Sequence, residues 1–168
     1  MFIVMKYVAS LLQHTFKLCC PYSTQQKYKL FQVLAKKLKK IFSQHDALLF
    51  ALPEYNSSLS GVFKNTIDWL SRSSSSTPDL SCFSGKVCAL ISASPGKLGG
   101  MRGLVHARSM LESINVMVMP EQICVGDALE AIGIDGVKDD KIRTSLEKLG
   151  LSLTRLTQRI SFRATQHI

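Results

Sequence analysis

The sequence predicts an α/β fold in which a parallel sheet is covered by helices on both faces. Two short runs, residues 47–52 and 86–92, are almost entirely apolar, which is typical of strands buried on both sides. A polar or glycine-rich loop follows each run, and an amphipathic stretch with helical spacing comes next, at 59–71 and at 101–113. Strands that alternate with helices in this way form parallel sheets. The length of 168 residues and the apolar fraction of 46% predict one domain over residues 1–168.

The first part of the chain is ambiguous until a clear helix begins. Residues 1–13 are apolar apart from a few positions such as Lys6, and their pattern fits a helix or a strand. Residues 16–20 are expected to form a short strand that Pro21 ends. A helix is predicted over 25–43 because apolar side chains recur on one face. That face contains Tyr28, Phe31, Leu34, Leu38, Ile41 and Phe42.

The C-terminal part contains one more strand and a long helix. Residues 73–77 are expected to form an exposed serine-rich loop, and residues 115–119 a strand that stops at Pro120. The segment 125–138 is expected to be irregular because of its glycines. A final helix is predicted to begin at Asp139 or Asp140, with an apolar stripe in steps of three and four. The stripe consists of Ile142, Leu146, Leu149, Leu153, Leu156 and Ile160.

The formal net charge of +9 favours anionic ligands, but its distribution does not single one out. The charge is concentrated in two predicted helices, where solvated faces explain it. It comes from Lys36, Lys37, Lys39 and Lys40, and from Arg143, Lys148, Arg155, Arg159 and Arg163. No nucleic-acid recognition motif is present, so we expect no nucleic-acid partner. No run approaches the ~20 apolar residues that span a bilayer, so we expect no membrane association.

The cysteines and histidines predict neither a disulfide framework nor a metal site. The five cysteines are an odd number without a C-x-x-C pair. Reduced cysteines are typical of cytoplasmic proteins, so a cytoplasmic location is expected. The histidines show no ligand spacing on any predicted helix, and His106 is interpreted as a packing or surface residue.

The run 48–72, LLFALPEYNSSLSGVFKNTIDWLSR, is the most informative feature of the chain. Pro53 ends a predicted strand, 54–58 form a polar loop, and a helix follows from position 59. The candidate caps of this helix are Ser57, Ser58 and Ser60. A loop at the carboxyl end of a strand, followed by a helix N-terminus, is where open α/β sheets bind ligands.

A second candidate loop, ASPGKLGG, occupies residues 93–100 directly after the strand 86–92. Its glycines allow close approach of backbone amides to a ligand, and the loop leads into a helix N-terminus. The G-x-G-x-x-G spacing of a dinucleotide fingerprint is absent. Because consecutive parallel strands can end at the same edge, the two loops are expected to lie side by side.

These two loops resemble those of the NADPH-dependent FMN reductase family, which includes quinone, chromate and azo reductases. The first resemblance is P-E-Y-N, then a glycine, then K-N-x-I-D-W, and the second is S-A-S-P-G-x-x-G-G. The resemblance as a whole extends beyond these motifs, through Arg102 towards Leu111, and covers roughly residues 21–120. The resemblance implies a flavodoxin-like three-layer sandwich, the cofactors FMN and NADPH, a small-molecule electron acceptor such as a quinone, and a homodimer. It thus implies an FMN-dependent NAD(P)H oxidoreductase that passes two electrons to that acceptor.

Carried over residue by residue, the resemblance implies a flavin site at these two loops. Tyr55 and Asn56 are expected to contact the ring and its edge, while Glu54 and Ser57 shape the loop. The implied cofactor-binding residues are Pro53, Glu54, Tyr55, Asn56, Ser57, Ser92, Ser94, Gly96, Gly99 and Gly100. Ser92 and Ser94 are assigned to the ribityl chain or the ring edge. No side chain is assigned as a catalytic acid or base, because the chemistry belongs to the cofactor.

The N-terminus departs from the family pattern. The family begins with a strand and a loop resembling G-S-x-R-x-x-S-x-N, which cradles the FMN phosphate, whereas this chain has no glycine before Gly61. Two interpretations are open. Residues 1–13 correspond to the family's first helix, which we favour, or residues 1–7 form a divergent first strand without a phosphate loop. The fold is accordingly expected to be incomplete at its N-terminus. The alternative function is a non-catalytic or truncated flavodoxin-like remnant, or an interaction protein, that has lost FMN binding.

Overall fold

The computed structural model describes residues 2–4, 24–73 and 77–165, and its elements alternate between strands and helices. The strands are β1 (Phe2–Val4), β2 (Ala47–Ala51), β3 (Glu54–Tyr55), β4 (Ser58–Leu59), β5 (Val87–Ala93), β6 (Met117–Val125), β7 (Ile132–Gly133) and β8 (Gly136–Val137). The helices are α1 (Thr24–Ser43), α2 (Gly61–Leu70), α3 (Met101–Glu112), α4 (Ala128–Ala131) and α5 (Asp140–Thr165).

Four of the strands form a parallel sheet in the order β1-β2-β5-β6. β2 lies beside β5 with Ala47 opposite Val87 and Ala51 opposite Ile91, so both strands end at the same edge. β3 pairs with β4, and β7 with β8, as separate antiparallel hairpins. The prediction of a parallel sheet, and of two loops that follow adjacent strands, is therefore confirmed.

The sheet has a different helix layer on each face. Leu48, Phe50, Cys88 and Leu90 point into one core, which also contains buried side chains of α1, α2 and α3. The alternate positions, such as Ala47, Val87 and Ala89, point into a second core with Leu149 and Leu153 of α5. This arrangement is the flavodoxin-like three-layer sandwich that the family resemblance implied.

Aromatic rings fill the first core between the sheet and its helices. The ring of Phe42 in α1 lies 5.7 Å from that of Phe83 and 6.4 Å from that of Phe50 in β2. Phe50 also contacts Phe63 of α2 edge to face, with 5.2 Å between ring centroids. The cluster fixes α2, and with it the segment that precedes it, against the sheet.

The favoured interpretation of the N-terminus is wrong where the structure describes it. Phe2–Val4 is a strand that pairs in parallel with β2, Phe2 opposite Ala47, and is not part of a helix. The backbone of β2 offers an open edge at this position, and pairing with it satisfies the hydrogen bonds of both segments. The structure supports the alternative, a divergent first strand within 1–7. The rest of residues 1–13, and the strand expected at 16–20, lie outside the described residues.

The prediction that Pro120 ends a strand is also wrong, because β6 continues through Pro120 to Val125. Among the described residues β6 pairs with β5 alone, and its register shifts between the partners Cys88 and Leu90. Proline is tolerated at an edge or a bulge, where its missing N–H removes no ladder hydrogen bond. The segment 125–138, expected to be irregular, contains the short helix α4 and the β7–β8 hairpin.

The helices predicted at 25–43, 59–71 and 101–113, and the final helix, are present with ends shifted by one or two residues. Within the described ranges, none of the helices has the length and apolarity needed to cross a membrane.

Candidate functional site

The segment after β2, expected to be a polar loop, is a tight hairpin, here called the Glu54–Leu59 hairpin. Glu54 pairs with Leu59 and Tyr55 with Ser58, so Asn56 and Ser57 form the turn. Both turn residues have positive φ, 51° and 63°, as a two-residue type I′ turn requires. Tyr55 is 62% exposed at the base of this turn. The turn therefore presents an aromatic ring and an amide side chain at the carboxyl edge of the sheet.

The helix after the hairpin begins where its cap allows. Ser60 has extended backbone angles, and its hydroxyl accepts a hydrogen bond from the backbone N–H of Phe63 at 3.2 Å. Of the three candidate caps, Ser60 is thus the N-cap of α2. Because the cap is buried beside the Phe63 core, the hairpin is fixed at its C-terminal end.

The glycine-rich loop 93–100 is folded tightly onto the end of β6. The Ser92 hydroxyl donates a hydrogen bond to the Gly99 carbonyl at 2.6 Å, and Ser92 is only 4% exposed. A Cβ on Gly99 would lie 2.7 Å from backbone atoms of Cys124, Val125 and Gly126. A Cβ on Gly100 would lie 2.9 Å from Ser92. Ser92, Gly99 and Gly100 therefore shape the loop from inside it.

The outer part of the same loop faces solvent. The Ser94 hydroxyl accepts a hydrogen bond from the Gly96 N–H at 3.2 Å, and the Ser94 carbonyl accepts one from the N–H of Ala128. Residues 95–98 are exposed, and within the described ranges no hydrogen bond uses the backbone N–H of Lys97 or Leu98. These two N–H groups are available to an acceptor on a ligand.

Glu54 joins the hairpin to the first turn of α3, which directly follows the loop 93–100. Its Oε1 accepts hydrogen bonds from Arg102 Nε at 3.1 Å and Nη2 at 2.7 Å, and its Oε2 accepts one from the Gly103 N–H at 2.9 Å. The Glu54 side chain is 9% exposed. The Gly103 N–H and the Arg102 guanidinium hold the pKa of the Glu54 carboxyl below its ordinary value. The carboxylate thus occupies the N-terminus of α3.

A second contact fixes the hairpin along α3. The Ser58 hydroxyl lies 2.9 Å from Nδ1 of His106, one turn beyond Gly103. A Cβ on Gly103 would lie 3.2 Å from the Ser58 carbonyl oxygen and 3.3 Å from Cβ of Glu54. The absence of a side chain at position 103 therefore allows the hairpin to lie directly on the helix. His106, interpreted from the sequence as a packing or surface residue, is exposed, and its contact with Ser58 was not predicted.

The structure brings the predicted site residues together and divides them into two groups. Glu54 lies beside Gly100, whose Cβ would be 3.6 Å from that of Glu54. The residues that are exposed at the surface are Pro53, Tyr55, Asn56, Ser57 and Gly96, with Ser94 half-buried. The residues that are covered by the protein are Ser92, Gly99 and Gly100. Glu54 binds Arg102 and Gly103, and neither partner was predicted. No local sequence pattern links an acidic residue to a helix that begins more than forty positions later.

The donor set of the exposed surface fits a planar, polar-edged ring. Tyr55 offers an aromatic face, and Asn56 with the N–H groups of Lys97 and Leu98 offers hydrogen bonds to carbonyl and ring-nitrogen acceptors. The N-terminus of α3 does not offer a phosphate site, because the Glu54 carboxylate already fills it. Across the described ranges, no group of three His, Cys, Asp or Glu side chains is placed to hold a metal ion.

Comparison with known proteins identifies the family to which the sequence is similar. Residues 7–130 match the NADPH-dependent FMN reductase family. An NAD(P)H-dependent FMN reductase of Pseudomonas aeruginosa is 35% identical over 131 residues, which are 76% of this chain and 68% of that protein. A quinone reductase of Pseudomonas putida is 38% identical over 115 residues, 67% of this chain and 59% of that protein.

Other similarities extend the comparison to a further relative and to a solved structure. A quinone reductase of Escherichia coli is 33% identical over 105 residues, 62% of this chain and 53% of that protein. The chain thus spans between 53% and 68% of the length of these relatives. A solved flavoenzyme, an NAD(P)H:acceptor oxidoreductase of Paracoccus denitrificans, superposes with a TM-score of 0.62 at 26% identity, covering 85% of this chain and 76% of that one.

Proposed function

The chain belongs to the NADPH-dependent FMN reductase family, and from that premise we propose that it is an FMN-dependent NAD(P)H oxidoreductase. Its acceptor would be a quinone or a similar small molecule that takes two electrons. One observation carries the proposal: the Glu54–Leu59 hairpin and the loop 93–100 meet at the carboxyl edge of β2 and β5. This edge is the ligand-binding edge of an open parallel sheet.

The proposed roles of the chain are binding and orientation. Bound FMN would supply the redox chemistry, accepting a hydride from NAD(P)H and delivering two electrons. Tyr55 would lie against the ring, and Asn56 would hydrogen-bond its edge. The N–H groups of Lys97 and Leu98, and the Ser94 hydroxyl, would bind the ring edge or the ribityl chain. No side chain is required as a general acid or base.

The covered residues of the predicted set have an indirect role in this proposal. Ser92, Gly99 and Gly100 would hold the glycine-rich loop against β6, so that its outer residues keep a fixed position. Pro53, Ser57 and Gly96 would set the course of the backbone at the surface.

A second candidate is a flavodoxin-like protein that no longer binds FMN. The observation that favours it is the absence of any glycine before Gly61, and with it the absence of the family's phosphate-binding pattern. Binding experiments separate the two candidates, because both have the same fold.

The finer expectations belong to the same proposal. A homodimer is supported by exposed apolar side chains along α3, namely Leu98 just before it and Met101 and Val105 within it. A cytoplasmic location is supported by Cys82, Cys88 and Cys124, which are free thiols. We propose a single domain over 1–168, and NADPH as the electron donor.

Titration of the purified chain with FMN, followed by quenching of flavin fluorescence, tests the proposal. Saturable one-to-one binding, followed by NADPH oxidation that depends on an added quinone, is the expected result. A folded chain that binds no FMN at 100 µM, about 5.5 kcal/mol of binding free energy, would favour the second candidate. Circular dichroism before each titration establishes that the chain is folded.

A further inference from the structure

The N-terminus of α3 is capped from a distant part of the chain. Its own N-cap residue, Gly100, has a φ of 85° and offers no side chain to the first turn. The Gly103 N–H instead donates to Glu54, which lies 49 positions earlier in the sequence. A carboxylate at this position also interacts favourably with the helix dipole. The cap of α3 therefore depends on the position of the hairpin.

The hairpin depends in turn on α3. It has only two residue pairs, too few for an isolated hairpin to be stable in water. In its turn Ser57 has a φ of 63°. This left-handed conformation is unfavourable for a residue with a Cβ, so it lowers the stability of the turn. Apart from its attachment to α2 through Ser60 and the packing of Leu59 on the core, two side-chain contacts hold it, and both end on α3. They are the Glu54 carboxylate and the Ser58–His106 hydrogen bond.

We propose that Glu54 is a positioning residue that couples the Glu54–Leu59 hairpin to the first turn of α3 and, through it, to the loop 93–100 that leads into this helix. The two flavin-facing loops then become ordered as one unit. If the coupling is lost, the ring surface formed by Tyr55 and by the N–H groups of Lys97 and Leu98 should be lost with it. This consequence for flavin binding rests on the proposed function. Glu54 itself does not face the ligand, because its carboxylate is committed to Arg102 and Gly103.

Hydrogen exchange of the ligand-free full chain tests the coupling directly. We expect Glu54→Gln and Glu54→Ala to speed exchange at residues 54–59 and at 101–103 together, by about tenfold or more, because charge-assisted hydrogen bonds are lost. Arg102→Ala should speed exchange in the hairpin, and Arg102→Lys should restore part of the protection. A general loss of stability would instead speed exchange of the buried strands as well.

Asp140→Asn is the matched control. Asp140 pairs with Arg143 at 2.8 Å in the first turn of α5, and Arg143 is 52% exposed, as Arg102 is. This substitution also removes a carboxylate that pairs with an arginine at the start of a helix. The Asp140–Arg143 pair, however, does not connect two loops. Exchange at 54–59 and 101–103 should stay as in the parent chain.

Flavin titration of the same variants separates this inference from the proposed function. If the parent binds FMN and Glu54→Gln binds at least about tenfold more weakly, with far-UV circular dichroism unchanged, the inference is supported. If the parent binds FMN and Glu54→Gln changes neither affinity nor exchange, the inference is overturned and the proposed function stands. If exchange shows the coupling but the parent binds no flavin, the proposed function fails, and the coupling remains without a role in flavin positioning.

Discussion

Gly99 has a backbone conformation and a packing environment that only glycine accommodates. Its φ is 58°, and a Cβ would lie 2.7 Å from backbone atoms of residues 124–126, which cannot rotate away. We expect Gly99→Ala to destabilise the chain by more than about 2 kcal/mol, the sum of left-handed strain and the displaced strand end. Urea unfolding followed by circular dichroism measures this loss.

Gly150 is the matched control for Gly99. It lies inside α5 with no atom within 4 Å of an added Cβ, so Gly150→Ala meets no obstacle. The helix should gain about 0.5–1 kcal/mol, because alanine has less conformational freedom to lose than glycine. Equal effects of the two substitutions would contradict the close packing of the loop 93–100 on β6.

Ser57 lies at the second central position of the type I′ turn, where glycine is preferred. Ser57→Gly should raise the free energy of unfolding by up to about 1 kcal/mol, because left-handed strain is relieved. The control Ser152→Gly, at an exposed position within α5, should lower it by a similar amount. Thermal unfolding measures the stability of both variants. A loss of stability in Ser57→Gly would contradict the left-handed conformation of Ser57 in a type I′ turn.

At the level of whole elements, α5 is the only helix of the described chain that packs on the second face of the sheet. Leu153 is 1% exposed in that core, whereas Leu151, two residues earlier, is 56% exposed. Leu153→Ala should cost about 2–5 kcal/mol through lost burial and a cavity. Leu151→Ala should change stability by less than about 0.5 kcal/mol. Comparable losses in urea unfolding would contradict the orientation of α5.

Asp79 links α1 to the segment that follows α2. Hydrogen bonds from Ser81 and the Lys39 ammonium, 2.9 Å away, lower the pKa of Asp79 from 3.8 to about 2. A lowered carboxyl pKa stabilises the fold above pH 3.8, and this stabilisation is lost as the pH falls from 3.8 to about 2.

Asp79→Asn should therefore cost about 1 kcal/mol at neutral pH. Solvent screening reduces this value, because the Asp79 side chain is 33% exposed. The difference between the parent chain and this variant should be small at pH 2, where about half of the Asp79 carboxyl is protonated in the folded chain, and should vanish below that pH. Urea unfolding at both pH values measures it. A difference that persists at the lower pH would assign the effect to packing and not to the charge.

Local sequence patterns predicted most of these helices and strands, but they could not predict which distant segments pair with each other. The helical spacing of α5 indicated Leu149 and Leu153 as core residues, and the apolar runs indicated β2 and β5. Nothing local distinguished strand from helix at Phe2–Val4, since pairing with β2 decides it. Pro120 breaks a ladder only where a neighbour needs its N–H, and the sequence does not say that β6 is an edge.

For the molecule as a whole, the same limit applies to the candidate site. The carboxyl edges of adjacent strands brought the two predicted loops together, as sequence order suggested. Which residues face solvent and which hold the loops was not predictable, because Ser92 and Gly99 are covered only once β6 is in place. The coupling of Glu54 to Arg102 and Gly103 likewise exists only in the folded chain.

The whole-molecule prediction concerns how the chain distinguishes FMN from riboflavin, which lacks the phosphate. No glycine precedes Gly61, and the N-terminus of α3 is filled by the Glu54 carboxylate, which would repel a phosphate. Each charge-assisted hydrogen bond to a phosphate would contribute ~1.5–3 kcal/mol, or roughly a tenfold to hundredfold gain in affinity. Without such bonds, FMN and riboflavin should bind within about tenfold of each other.

Fluorescence titrations of the 168-residue chain with each flavin, at low and at high salt, measure this ratio. We expect similar affinities and little salt dependence for both, because the protein would then bind the ring and not the phosphate. An FMN affinity more than about a hundredfold above that of riboflavin, and weakened by salt, would show that the chain holds the phosphate after all. Since Glu54 fills the end of α3, that phosphate would have to lie against another part of the chain.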